Sequence, residues 1–190
     1  MRIIVGMCGA SGAIYGVRLL EKLSCRPEAE VHLVLTSAGE KTLLMETGKA
    51  AKDLEGLVTR MHSIENIESP LASGSFVTGG MVIAPCSIHT MSAIASGVTD
   101  NLLTRAADVT LKERRKLILM VRESPLHLGH LRNMTLLAQM GAIIAPPVPA
   151  FYLQPQTIAD LVDHSVDRVL DLLGLPEPDA RRWEGPPEGS

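Results

Sequence analysis

Five short stretches of the chain are almost continuously apolar: residues 2–7, 30–35, 81–84, 117–121 and 142–145. Apolar runs without alternation fit the strands of a parallel sheet covered on both faces. Between them, apolar residues recur at helical spacing over residues 13–23, 38–46, 52–60, 88–95, 102–115 and 128–140, and a last helical stretch covers 158–173. Strand and helix in regular alternation predict an α/β fold: a single-domain, doubly wound, right-handed parallel sheet of Rossmann-like type. No internal repeat or linker divides it, so residues 1–175 read as one domain. Residues 176–190, rich in Pro, Gly and Glu, read as a loosely ordered tail apart from Trp183. Sheets of this kind bind ligands beyond the carboxyl ends of their strands, which directs attention to five strand ends.

The first strand runs into Gly9-Ala10-Ser11-Gly12. Small residues let backbone approach a ligand, and the following helix aims its first N–H groups at an anion. A tight ligand-free turn has the same composition, and neither a dinucleotide nor a P-loop glycine pattern is present. The second strand ends at Leu35-Thr36-Ser37, two hydroxyls where a dinucleotide fold places an acid for the ribose. Hydroxyls suit a phosphate or a ribityl chain, and so a mononucleotide such as FMN. The third strand ends at Pro85-Cys86-Ser87-Ile88-His89-Thr90, where helix capping explains Ser87 as well as a ligand role does. After the fourth, Ser124 and Pro125 are read as the start of a helix, leaving Arg122 and Glu123 at the sheet's carboxyl edge. The fifth leads into Pro146-Pro147-Val148-Pro149-Ala150-Phe151-Tyr152, a stiff loop with two rare aromatics, fit to wall a pocket or to cover the core. Arg105, Asp108 and Lys112 share one helix face, the pattern of a solvated charged helix.

Composition narrows the partners. The 190 residues are 46% hydrophobic and 21% charged, an ordinary globular balance, and aromatics are only 3%. A net charge of -3 gives no reason to expect nucleic acid or an anionic membrane. No apolar run is long enough to span a bilayer, and glycines and Ser11 interrupt the N-terminal one, so a cytoplasmic protein is expected. Three widely spaced cysteines, Cys8, Cys25 and Cys86, form neither a disulfide framework nor a zinc motif. His127 and His130 lack a third ligand and read as polar residues at a helix start, so no metal is expected.

Several segments together resemble the flavin prenyltransferases, the UbiX family. They are Gly9-Ala10-Ser11-Gly12-Ala13-Ile14-Tyr15-Gly16, Ser73-Gly74-Ser75-Phe76, Pro85-Cys86-Ser87, and Arg105-Ala106-Ala107-Asp108-Val109-Thr110-Leu111-Lys112-Glu113-Arg114-Arg115. Arg122-Glu123-Ser124-Pro125-Leu126, Met140-Gly141-Ala142 and the Pro146–Tyr152 loop complete the set. The resemblance implies an FMN-binding domain that joins a dimethylallyl group from dimethylallyl phosphate to N5 and C6 of reduced FMN, without a metal. The prenylated FMN would pass to a UbiD-type decarboxylase, and the chain would assemble as a homo-oligomer, commonly a dodecamer. By match to the family pattern, Gly9, Ala10, Ser11, Thr36, Ser87, Ile88, His89, Thr90 and Arg122 would hold FMN. Arg105, Lys112, Glu123, Tyr152 and Arg168 would surround the donor. Ser11, Glu46, Lys112 and Glu123 would be catalytic, with Ser11 and Glu46 beside flavin N5.

The chain departs from that pattern in places. Cys8 stands where Ser or Thr is usual, Thr36-Ser37 replaces a common Ser-Lys pair, and His89 replaces Lys or a small residue. Residues 64–72 carry no Trp, which some relatives have there; Trp183 is a candidate substitute. Two other readings remain: an FMN-dependent cysteine decarboxylase of the same fold, which uses an Asn where His89 stands, and a non-catalytic flavin carrier.

Overall fold

In a computed structural model, which describes residues 1–183 and 185, six parallel strands lie in the order β3-β2-β1-β4-β5-β6. They are β1 (Arg2–Met7), β2 (Glu30–Leu35), β3 (Arg60–His62), β4 (Gly80–Cys86), β5 (Lys116–Val121) and β6 (Ile143–Ile144). The helices are α1 (Ala13–Ser24), α2 (Ser37–Thr47), α3 (Ile88–Ala95), α4 (Leu102–Lys112), α5 (Leu128–Gln139) and α6 (Ile158–Leu173). The four central strands are buried along almost their whole length, which is why they read as unbroken apolar runs. One core lies under α1 and α6, through Val17, Leu20, Val166 and Leu170. The other lies under α3 and α4, through Met91, Leu103, Ala106 and Ala107. The sheet therefore separates α6 from α4. No helix of the described residues is long and apolar enough to cross a membrane.

Apart from shifts of one or two residues at element ends, three departures from the sequence reading stand out. The expected helix over 52–60 is a 3-10 turn, Ala51–Leu57, followed by a sixth strand, β3. Gly56 weakens helix there, the β-branched Val58 and Thr59 favour extended chain, and three residues are too few to show a strand period. The expected helix over 102–115 ends at Lys112, because Arg114 turns the chain at φ 55 into β5. Ser124 and Pro125 do not start α5: it begins at Leu128, and the His127 ring accepts from the Gly129 N–H at 3.0 Å as its cap. The span from Arg122 to Leu126 is thus exposed loop at the sheet's carboxyl edge.

The short edge strand is held by a buried polar chain. His62 accepts from the Ser69 hydroxyl (2.8 Å) and pairs with His32 (3.0 Å), which in turn meets the Glu30 carboxylate (3.1 Å). With Glu30 ionised, donors run one way from Ser69 to Glu30 and both imidazoles are neutral. Burial keeps them so: it lowers His32 below its ordinary value and takes His62 to about 4, with the Arg60 charge, and that of His32 once it protonates, adding to the effect there. At the other end of the chain, residues 176–183 lie against α1 and α6. Glu177 pairs with Arg26, Arg182 reaches Asp171 at 2.8 Å, and Trp183 meets Tyr152 edge-on.

Candidate active site

The strand order reverses at β1: the chain moves outward through β2 and β3, then returns to β4 on the other side. The crevice beyond the carboxyl ends of β1 and β4 is therefore the fold's ligand position. Its floor is closely packed. A Cβ on Gly9 would come 2.6 Å from the Ala38 Cβ at the start of α2, and one on Gly16 would come 2.4 Å from the Ala84 carbonyl of β4. Only glycine lets the β1–α1 turn sit this close to α2 and the first turns of α1 this close to β4.

The first N–H groups of α1 are not free for a ligand anion. The Glu46 carboxylate, from the last turn of α2, accepts from the N–H groups of Gly12 and Ala13, each at 2.9 Å. The generic expectation of an anion cradle at this turn is thus met by the chain's own acid. Partial burial works to raise the Glu46 pKa. The Ser11 hydroxyl, the two N–H groups and the Arg122 charge outweigh it and hold the carboxyl below its usual range. Tyr15, one turn into α1, also feels the Arg122 charge, but burial dominates and raises its phenol. Ser11, Glu46, Tyr15 and Arg122 therefore form one cluster, built from β1's turn, α2, α1 and the end of β5.

Hydroxyls line the same edge. Thr36 caps α2, accepting from Gly39 N–H at 2.9 Å. Ser87 caps α3, accepting from Thr90 N–H at 3.2 Å, and its hydroxyl donates to Thr90 Oγ1 at 3.2 Å. Thr90 also receives the Cys8 thiol at 3.2 Å, across the gap between β1 and β4. Ile88 packs partly into the α3–α4 core, while His89 is exposed at the rim. Arg122 is exposed, and its N–H binds the Cys86 carbonyl at 3.1 Å, fixing it beside β4. Glycine backbone, three hydroxyls and one guanidinium gathered at this edge fit a mononucleotide. Gly9, Ala10, Ser11, Thr36, Ser87, Thr90 and Arg122 are all brought to this edge.

The residues expected around a donor phosphate are not assembled in one chain. Arg105 binds the Ala72 carbonyl (3.2 Å) and Asp108 (2.8 Å), and Lys112 pairs with Glu113. Lys112 ends α4, just before β5 begins, whereas Arg122 follows the end of β5; six strand residues, about 20 Å, separate those edges. Arg168 projects from α6, 58% exposed, and pairs with Asp171 at 2.8 Å. Tyr152 packs edge-on against His164, one helical turn before Arg168. Glu123 stands at the carboxyl edge, with its carboxylate on the N–H of Ser124 at 2.9 Å. The donor set is thus divided between both faces and both edges of the sheet. Among the described residues, no cluster of three or more His, Cys, Asp or Glu is placed to hold a metal ion.

Residues 1–170 match the Flavoprotein family. A flavin prenyltransferase UbiX of Thauera aromatica is 53% identical over 185 residues, covering 97% of this chain and 95% of that protein. The chain belongs to the flavin prenyltransferase family. Two solved structures share its fold over 97% of its length. One is a dodecameric FMN-dependent UbiX-like decarboxylase of Escherichia coli O157:H7, with a TM-score of 0.95, 48% identity and 100% of that chain covered. The other is AnUbiX (PadA1) in complex with FMN and dimethylallyl pyrophosphate, with a TM-score of 0.94, 46% identity and 97% covered. Within this flavin prenyltransferase, Tyr15 and Glu113 entered the sequence reading only inside the resembling segments, with no role of their own, and Asp171 not at all. Only the first carried a signal, as a rare aromatic just past the glycine turn.

Proposed function

We propose that this flavin prenyltransferase uses the β1–β4 crevice for FMN and a second, charged site for dimethylallyl phosphate, completed by neighbouring copies. Reduced FMN supplies two nucleophilic positions, N5 and C6, that take up the dimethylallyl group. Thr36, Ser87, Thr90 and Arg122 hold the mononucleotide, with the backbone of Gly9, Ala10, Ile88 and His89 closing around it. The observation that carries this reading is Glu46 seated on the N-terminus of α1 with Ser11 against it. A turn so occupied is committed to holding and moving a proton at the reacting edge of the ring, through Ser11, rather than to binding phosphate.

Phosphate leaves an allylic carbon readily once its charge is neutralised. A cation about 4 Å away contributes roughly 4 kcal/mol at an effective dielectric near 20, about three decades of rate if felt only in the transition state. Arg105, Lys112 and Arg168 supply such charges, Tyr152 donates to a phosphate oxygen, and Glu123 exchanges its proton with the departing group. Their separation within one chain is why a neighbouring copy is needed, and the dodecameric relative supports that assembly. The prenylated FMN then passes, in the cytoplasm, to a UbiD-type decarboxylase.

The test is anaerobic incubation of the protein with reduced FMN and dimethylallyl phosphate, followed by mass analysis of the flavin. A gain of one five-carbon unit is expected. An unchanged flavin mass, with FMN shown to be bound, sinks the reading and leaves the carrier role.

A further inference from the structure

Where β1 and β4 end side by side, the chain carries two cysteines. Cys8 follows β1, with its N–H on the Pro85 carbonyl at 3.2 Å, and Cys86 closes β4. Both side chains enter the same buried cluster, and Cys8 donates to Thr90 Oγ1 at 3.2 Å. Adjacent parallel strands lie roughly 4.8 Å apart, inside the range of about 4.4–6.8 Å between Cα atoms that a disulfide bridges. Cys25 is exposed and distant from both.

We infer that Cys8 and Cys86 form a redox-responsive dithiol beneath the flavin crevice, closed to a disulfide by hydrogen peroxide and reopened by a small thiol reductant. Cys8 is the attacking sulfur. The Cys86 thiol, then Thr90 and Ser87, draw it down to about 7 against the effect of burial, while Cys86 is pushed up by Cys8 and by burial. The Cys8 thiolate attacks one peroxide oxygen, the O–O bond breaks, and hydroxide leaves as water, giving a sulfenic acid. Cys86 displaces its oxygen as a second water and forms the S–S bond. Two thiols lose one electron each and the two peroxide oxygens gain them. Reduced flavins give hydrogen peroxide with dioxygen, so this substrate generates the oxidant at the crevice itself. Exposures of 2% for Cys8 and 0% for Cys86 admit only small reagents in either direction.

Closure takes Cys8 from Thr90 and draws on Cys86, the residue before the Ser87 cap, so it disturbs two hydroxyls assigned to FMN. The effect expected of one such hydrogen bond is about fivefold in FMN affinity. This rests on the flavin site proposed above.

The experiment uses the full chain with Cys25→Ser, which removes the exposed thiol and leaves the pair intact. After peroxide treatment, denaturation and alkylation, mass analysis should show no labelled cysteine and a linked Cys8–Cys86 peptide. Dithiothreitol before denaturation should restore two labels. FMN titration should give an affinity about fivefold lower for the oxidised form, recovered on reduction. Two labels after peroxide, or a link that leaves FMN affinity unchanged, overturns the proposal. A reduced protein that fails to bind FMN overturns the flavin-site reading and the redox control with it, and the peptide mass tells the two failures apart.

Discussion

The crevice between β1 and β4 and the outer faces of α4 and α6 hold their polar groups in different ways. In the crevice, polar atoms from distant segments bind one another: Glu46 caps the turn at Gly12, Cys8 reaches Thr90, and Arg122 is tied to Cys86. On the helices, each cation is matched by an acid within three residues: Arg105 with Asp108, Lys112 with Glu113, Arg168 with Asp171. Local pairs on exposed helix surface contribute little to stability and give way readily to a phosphate. One region is thus preorganised within the chain, while the other, on the reading proposed above, waits for ligand and neighbours.

The largest effect is expected in the preorganised region. Glu46→Gln keeps the shape and removes the charge, and should lower turnover by about a thousandfold, the scale of a lost general acid–base group. FMN affinity should change little, because the carboxylate faces the chain's own N–H groups. The lowered Glu46 pKa adds a direction in pH. The group is already ionised above the ordinary carboxylate range, and its contribution is lost only as pH falls below that range. Strong loss of FMN binding in Glu46→Gln would mean that the turn is an anchor rather than a reaction site.

The second test breaks the comparison itself. Lys112→Ala should cost about 10- to 100-fold in kcat/KM for dimethylallyl phosphate, the worth of one charge-assisted hydrogen bond, with FMN retention intact. Glu123→Ala impairs the same reaction from the opposite edge of the sheet. If donor sites are completed across copies, unfolding and co-refolding the two impaired variants should recover part of the lost activity, since some sites then combine intact residues. Recovery no better than either variant alone would place the whole donor site in one chain.

The same difference explains how far the sequence could be read. Apolar runs buried on both faces declared the four central strands, and the hydroxyls at Thr36, Ser87 and Thr90 were visible because strand ends can be counted. The edge was not legible. Three residues cannot display a strand period, and the His32–His62 contact exists only once β3 pairs with β2. Nor could spacing show that Arg105 and Arg168 lie on opposite faces. Their shared role came from family resemblance, and the sheet that separates them is a property of the folded chain. Glu46 shows the same limit: a glutamate in a helix's last turn looks solvated until the turn it caps, 34 residues away, is beside it.

The histidine chain predicts a smaller effect confined to the edge. Both rings have lowered pKa values, so stability is fully present above the unfolded value of 6.5 and falls as pH drops through that value towards the folded one, about 4 for His62. Urea unfolding should show a loss of about 3 kcal/mol across that window. His62→Gln should flatten this slope and leave FMN affinity unchanged, since the edge strand does not border the crevice between β1 and β4. An equally steep slope in the variant would assign the acid sensitivity elsewhere.

The smallest effect concerns Asp171, which holds Arg168 at 2.8 Å and Arg182 at 2.8 Å on the surface of α6. If these pairs are only placeholders, Asp171→Asn should change unfolding free energy by less than about 1 kcal/mol. Donor affinity should then stay the same or rise slightly, because Arg168 is released to meet phosphate. A fall in donor affinity with unchanged stability would give Asp171 a different part, that of holding the guanidinium at a fixed angle for the phosphate. The α6 face would then resemble the crevice, preorganised before its ligand arrives, and the contrast between the two regions would narrow to α4 alone.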